Sequence, residues 1–157
     1  MLYIAILQIL KPILMKQIKV IGILLILGLV SFTSCESVDG AQKVADNFFQ
    51  AFNNQDEKAM ETILDQEFII DAGIKDDFYD VFDQHASALG NIKEYERYAF
   101  STNINNGVTT VTLKFKCETD KKNPVYEKLK FVQRGEDYKV IAFQYNTDKS
   151  AIDNEEK

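Results

Sequence analysis

Tryptophan is missing from this chain of 157 residues, and proline, cysteine and histidine are nearly so: Pro12 and Pro124, Cys35 and Cys117, and His85 alone. Each scarcity excludes something. Two cysteines and one histidine cannot assemble a Cys/His zinc site, and no zinc or other metal is expected. No glycine-rich phosphate loop, nucleophile elbow, internal repeat or low-complexity tract occurs, which removes the commoner enzyme classes. Acidic residues are also missing from the first 35 positions, where the only charges are Lys11, Lys16 and Lys19.

That last absence divides the chain. Residues 36–157 carry 15 basic against 24 acidic side chains, a net charge of −9. They form one acidic module of 122 residues, enough for a single core and too little for two. Ahead of it, residues 15–36 read "MKQIKVIGILLILGLVSFTSCE". Lys16 and Lys19 supply a positive start, residues 20–30 an apolar middle, and Thr33 with Ser34 a small pair, the order of a secretory signal. A permanent membrane span needs about 20 apolar residues, and the uncharged run here ends after 15. The residues "FTSC" (32–35) resemble the bacterial lipobox, although Phe32 stands where leucine is usual. The resemblance implies that the Cys35 thiol receives diacylglycerol, that residues 1–34 are removed, and that the new amino terminus takes a further acyl chain such as palmitate. Two or more chains hold a protein on a membrane; one is marginal. Residues 1–14 add a second apolar run ahead of the charged start, and Lys11-Pro12 would break a helix joining the two. Met15 is the expected initiator.

After a polar tether at 36–40, Ala41, Val44, Ala45, Phe48, Phe49 and Phe52 step at helical intervals, with Asp39 as the expected cap. "NNQD" (53–56) breaks this helix, and Asp56 caps a second carrying Ala59, Met60, Ile63 and Leu64 on one face. "QEFII" (66–70) is expected as a short strand. A third helix begins at Asp76 and Asp77, carries Phe78, Val81, Phe82, His85 and Leu89 on one side, and ends at Gly90. Beyond Gly90 the period changes to 2. Residues 92–104 and 108–117 form a hairpin about "NNG" (105–107), and residues 125–133 and 138–145 a second about "RGED" (134–137). Residues 147–157 are expected as a polar tail. Three helices followed by a four-stranded antiparallel meander make an α+β fold, with the domain spanning 41–146 and the helices on one face of the sheet.

The opening "AQKVADNFFQAFNNQDEKAMETIL" and the closing "YEKLKFVQRGEDYKVIAFQY", in which an aromatic-Lys-Val step follows a charged turn, resemble the nuclear-transport-factor-2-like superfamily over residues 41–145. Within it the chain looks most like small bacterial lipoproteins of unassigned function. The resemblance implies a curved, cone-like sheet. It brings no catalytic residue, because the family holds isomerases, dehydratases and epoxide hydrolases that work inside the cone alongside members that only bind or dimerise.

Candidate chemistry is thin. His85 lies on the apolar side of the third helix, where a cone would point it inward, and a general base there needs a carboxylate or tyrosine partner. Tyr95, Tyr98 and Tyr126 are candidates for that partner, and Phe49, Phe52, Phe78 and Phe82 would line the same cavity. Asp71, Asp76, Asp77, Asp80 and Asp83 cluster without the ordered spacing of a calcium loop and read as a solvated helix face. Cys117 alternates with Val111, Leu113 and Phe115 and reads as a small core residue. Lys114, Lys116, Lys128 and Lys130 fall on the outward face of the sheet, which could lean on an anionic membrane or on another copy. No cofactor is implied, and net charge and export argue against nucleic acid.

These readings converge on a lipoprotein of the bacterial envelope, facing the periplasm or the exterior. Its domain is expected to be a non-enzymatic module for a small apolar ligand or a protein partner. A small isomerase, dehydratase or hydrolase using His85, and a structural lipoprotein dimerising through its sheet, are the alternatives.

Overall fold

The computed structural model describes the backbone of residues 33–154 and the side chains of residues 37–154, so most of the expected signal peptide and the Cys35 side chain lie outside the described residues. The chain divides into two compact units, Met1–Glu36 and Ser37–Lys157. The second contains the elements described below except for the first four residues of the first helix.

The order is helix α1 (Thr33–Asn54), helix α2 (Glu57–Ile63), a π-helical turn (Gln66–Asp71), helix α3 (Lys75–Leu89), strands β1 (Ile92–Asn105), β2 (Val108–Thr119), β3 (Val125–Arg134) and β4 (Asp137–Asn146), and helix α4 (Lys149–Asp153). The architecture is α+β, as the change of period predicts, and the strands form one antiparallel sheet in the order β1-β2-β3-β4. Asn106 and Gly107 both have positive φ between the paired Asn105 and Val108, a two-residue turn whose twist matches that of the strands it joins.

One face of the sheet meets α1 and α3. Val111, Leu113, Phe115 and Cys117 of β2, Val125, Leu129 and Phe131 of β3, and Val140 and Phe143 of β4 are buried in a common core with Phe48, Phe49 and Phe52 of α1 and Phe78 and Phe82 of α3. Two β-bulges keep this alternation in phase. The register shift between Lys130 and Phe131 leaves Ile141 unpaired, so Val140 and Phe143 both face inward although three positions apart. The shift between Arg97 and Ala99 leaves Tyr98 unpaired and sends it to the other face, where it meets Tyr126 edge-on at 6.0 Å.

Three segments differ from the sequence expectation. Residues 37–40, expected as a tether, are helical, and Asp39 is an exposed position within α1 rather than its cap. Val38 and Ala41, both buried, carry the apolar stripe back by another turn, and Gly40 lets the helix lie against the Tyr138 ring. The expected strand at 66–70 is a π-helical turn. Asp65 Oδ1 accepts the Phe68 N–H at 2.9 Å, and that local bond competes with strand pairing; only Leu64 joins the sheet, in a parallel bridge to Val140. The expected polar tail contains α4, capped by Asp148 through the Ser150 N–H, with Ile152 buried. Tyr98 donates to Asp153 at 3.1 Å and Lys114 Nζ lies 3.6 Å from the same carboxylate, so α4 occupies the outer face of the sheet. Lys114, expected to be outward and free for an anionic surface, is largely buried under this helix.

A clamp ties the π-helical turn to the sheet. Arg134 spans both Asp65 oxygens, at 2.8 and 3.0 Å, and reaches Glu67 at 2.7 Å. The Asp65 N–H meanwhile donates to Val140 O at 2.9 Å. The guanidinium, helped by the Phe68 N–H, holds the Asp65 carboxyl below its ordinary 3.8 against the opposing effect of burial.

Two predictions follow from this packing. A Cβ on Gly40 would stand 2.7 Å from Tyr138 Cε2, and the buried ring has little room to retreat. Gly40→Ala, which in an open helix gains up to about 1 kcal/mol, should here lose about 1–2 kcal/mol in denaturant unfolding, and Tyr138→Leu should relieve the loss. Because the folded pKa of Asp65 lies below its unfolded one, its contribution to stability is complete above the unfolded value and disappears as pH falls through the folded value. Unfolding followed from pH 6 downward should show stability falling below about pH 4, with a smaller slope in Asp65→Asn.

Candidate functional site

Alternation along β3 turns Val125, Glu127, Leu129 and Phe131 inward together. One of the four is a carboxylate. Glu127 pairs in register with Phe115 on one side and Tyr145 on the other, and it is completely buried. Opposite it, the third turn of α3 presents His85, also completely buried. His85 Nε2 and Glu127 Oε1 lie 2.9 Å apart. This pair joins residues 42 positions apart, and both side chains are completely buried.

Aromatic rings enclose it. Phe52 and Tyr145 each stand edge-on to the imidazole at 4.7 Å, and Phe143 lies at 5.9 Å. Phe82 packs on Phe52 at 4.4 Å, while Phe48 links Phe49, Phe52, Phe78 and Phe82 through ring contacts of 5.7–6.5 Å. Of the five residues expected around a cavity, His85, Phe52 and Phe82 are joined by direct ring contacts, Phe49 and Phe78 connect to them through Phe48, and all five are buried. His85 Nδ1 and Glu127 Oε2 find no hydrogen-bond partner among the described residues.

The tyrosines expected near His85 are elsewhere. Tyr95 donates to Asp46 at 3.0 Å, and burial together with that carboxylate pushes its hydroxyl up to about 12. Tyr98 and Tyr126 lie on the outer face. Cys117 takes its expected inward place, where burial first and Glu127 second push its thiol far above the ordinary range; the neutral thiol is a poor nucleophile. Asp71, Asp76, Asp77, Asp80 and Asp83 are all exposed. Among the described residues no group of three or more His, Cys, Asp or Glu side chains is placed to hold a metal ion, and no helix is long and apolar enough to cross a membrane.

A histidine oriented by a carboxylate is the central element of acid–base catalysis. To act, it needs a substrate atom about 3 Å from the free nitrogen. Here the imidazole is completely buried, with Phe52 and Tyr145 packed on it, and the pair ties α3 to β3. A buried ionisable pair is costly to break and cheap to replace whole. Glu127 was legible in the same alternation that identified Cys117, because a glutamate among Val125, Leu129 and Phe131 on an inward face demands a partner, and His85 is the only histidine.

No family model matches the chain, and no curated protein and no solved structure shows significant similarity to it. The likeness to the nuclear-transport-factor-2-like superfamily thus rests on the sequence patterns alone.

His85→Leu and Glu127→Leu should each destabilise the fold by about 3–5 kcal/mol, since each leaves one polar group unpaired. The double variant should cost clearly less than the sum of the two. Chemical denaturation of the three variants measures this coupling.

Proposed function

We propose that this chain is a lipid-anchored protein of the bacterial cell envelope, and that its folded unit is a non-enzymatic module for binding or assembly. The observation that carries the reading is the lipobox-like Phe32-Thr33-Ser34-Cys35, preceded by a charged start and an apolar run and followed within two residues by the compact unit Ser37–Lys157. A cysteine so close to the fold leaves little free chain. Acylated, it would hold the domain against the membrane with two or more acyl chains. The filled interior supports a non-enzymatic role, because the one histidine offers no nitrogen to a substrate. The sequence resemblance fits this reading through the family's members that bind or dimerise without catalysis.

A second reading is favoured by one observation, the 2.9 Å contact of His85 with Glu127. A small isomerase, dehydratase or hydrolase would use that pair once Phe52 and Tyr145 moved aside. The barrier to this reading is the packed ring cluster around the imidazole.

Intact-mass analysis of protein extracted from its own membrane tests the first reading. The expected species begins at Cys35 and carries the mass of diacylglycerol plus an amide-linked acyl chain, and Cys35→Ala moves the protein out of the membrane fraction. A chain that retains Met1 or Met15 with an unmodified Cys35 contradicts it.

A further inference from the structure

Residues 98–113, from the second half of β1 through the turn into β2, hold no charged side chain. The run of 16 is the longest of its kind beyond residue 37, in a chain that is 27% charged. Within it three large apolar side chains face solvent: Phe100 is 58% exposed, Ile104 71% and Val108 41%. A soluble hairpin tip ordinarily carries charge, and an edge strand is usually guarded by it. This hairpin, on an acidic body, has shed it.

The position of the hairpin says what covers it. Helix α1 runs antiparallel to β1: Asn53 holds the backbone of Ile92 at 2.7 and 2.8 Å, Asp46 accepts from Tyr95, and Gln42 accepts from Arg97 at 3.0 Å. Eleven helical residues at about 1.5 Å match five strand residues at about 3.3 Å. The same ratio brings Ser37, five residues before Gln42, level with Ala99 and Phe100. Gly40 against Tyr138, at the start of β4, confirms that the beginning of α1 lies at the end of the sheet where the β1–β2 and β3–β4 turns are. Chain length alone keeps Cys35 within about 7 Å of Ser37, whereas Ile104 lies roughly 13 Å further along the strand than Phe100. A cysteine anchored in the bilayer interface would therefore bring the hairpin tip to the headgroups.

We infer that the β1–β2 hairpin tip is a second membrane contact, with Phe100, Ile104 and Val108 entering the headgroup and upper acyl region beside the lipid anchor. The inference rests on acylation of Cys35. It specifies a lipid surface recognised by apolar and neutral polar groups, not by charge: the domain is acidic, and Arg97 lies 5.8 Å over the Phe100 ring, short of the uncharged tip. The contact is accordingly insensitive to salt. It fixes the orientation of the domain, with the loop between β2 and β3 pointing away from the membrane.

The absence of tryptophan supplies a clean test. Full-length Phe100→Trp, Ile104→Trp and, in the distal loop, Lys122→Trp are reconstituted in phosphatidylcholine vesicles with and without brominated acyl chains, and acylation is checked by mass on the same material. Brominated lipid should remove more than half the emission at positions 100 and 104, at low and high salt alike, and leave position 122 unchanged. Acylated, vesicle-bound protein in which positions 100 and 104 are not quenched overturns the hairpin contact while leaving the anchor intact. Absence of acylation overturns the anchor and the contact with it. A blue shift at position 104 that appears without lipid, or that grows with protein concentration, assigns the tip to the chain itself or to a second copy and also overturns the inference.

Discussion

The fold depends on filling one space. Helix α1 brings three phenylalanines to the inner face of a four-stranded sheet, α3 adds two more, and the rings close on one another around a single polar contact, His85 with Glu127. Each large apolar side chain contributes on the order of 2 kcal/mol by leaving water; Phe48 touches the other four rings, and Phe52 with Phe143 and Tyr145 packs on the completely buried imidazole. The polar pair gives this otherwise unspecific apolar interior a fixed register, because α3 can slide or turn on the sheet only by separating His85 from Glu127 while both stay buried. Function has to be read from what surrounds this interior.

Much of that arrangement is visible in the sequence because it follows from periodicity. The stripe from Ala41 to Phe52, the capping Asp56, the Asn106-Gly107 turn and the alternation of Val111, Leu113, Phe115 and Cys117 are all local signals, and each element they indicate is present. The misreadings arise where tertiary contacts overrule local pattern. "QEFII" has the composition of a strand, but the Asp65 side chain satisfies the Phe68 N–H and Arg134 then holds that carboxylate, so the segment coils instead. The tail has only Ala151 and Ile152 as apolar residues, too little to announce a helix, and α4 forms because Lys114 and Tyr98 offer Asp153 a place on the outer face. The start of α1 was hidden by Gly40, which reads as a linker until Tyr138 is seen against it.

The site was half legible. His85 is conspicuous as the single histidine, and its apolar helical face points it inward. Its partner is none of Tyr95, Tyr98 and Tyr126 but Glu127, which β3 alternation turns toward the same interior. What no spacing could reveal is whether the phenylalanines line a cavity or fill it, since that depends on the distance between α1, α3 and the sheet. They pack against one another around Phe48, which moves the functional reading from the interior to the surface and its uncharged hairpin.

The central claim, that the interior is closed and the His85–Glu127 pair holds the fold together out of reach of solutes, can be tested by chemical access. Because the chain has a single histidine, its reaction with diethyl pyrocarbonate reports one site. The imidazole should resist modification in the native protein and react readily once the protein is denatured. Modification of the native protein at the rate of a free imidazole would contradict the account.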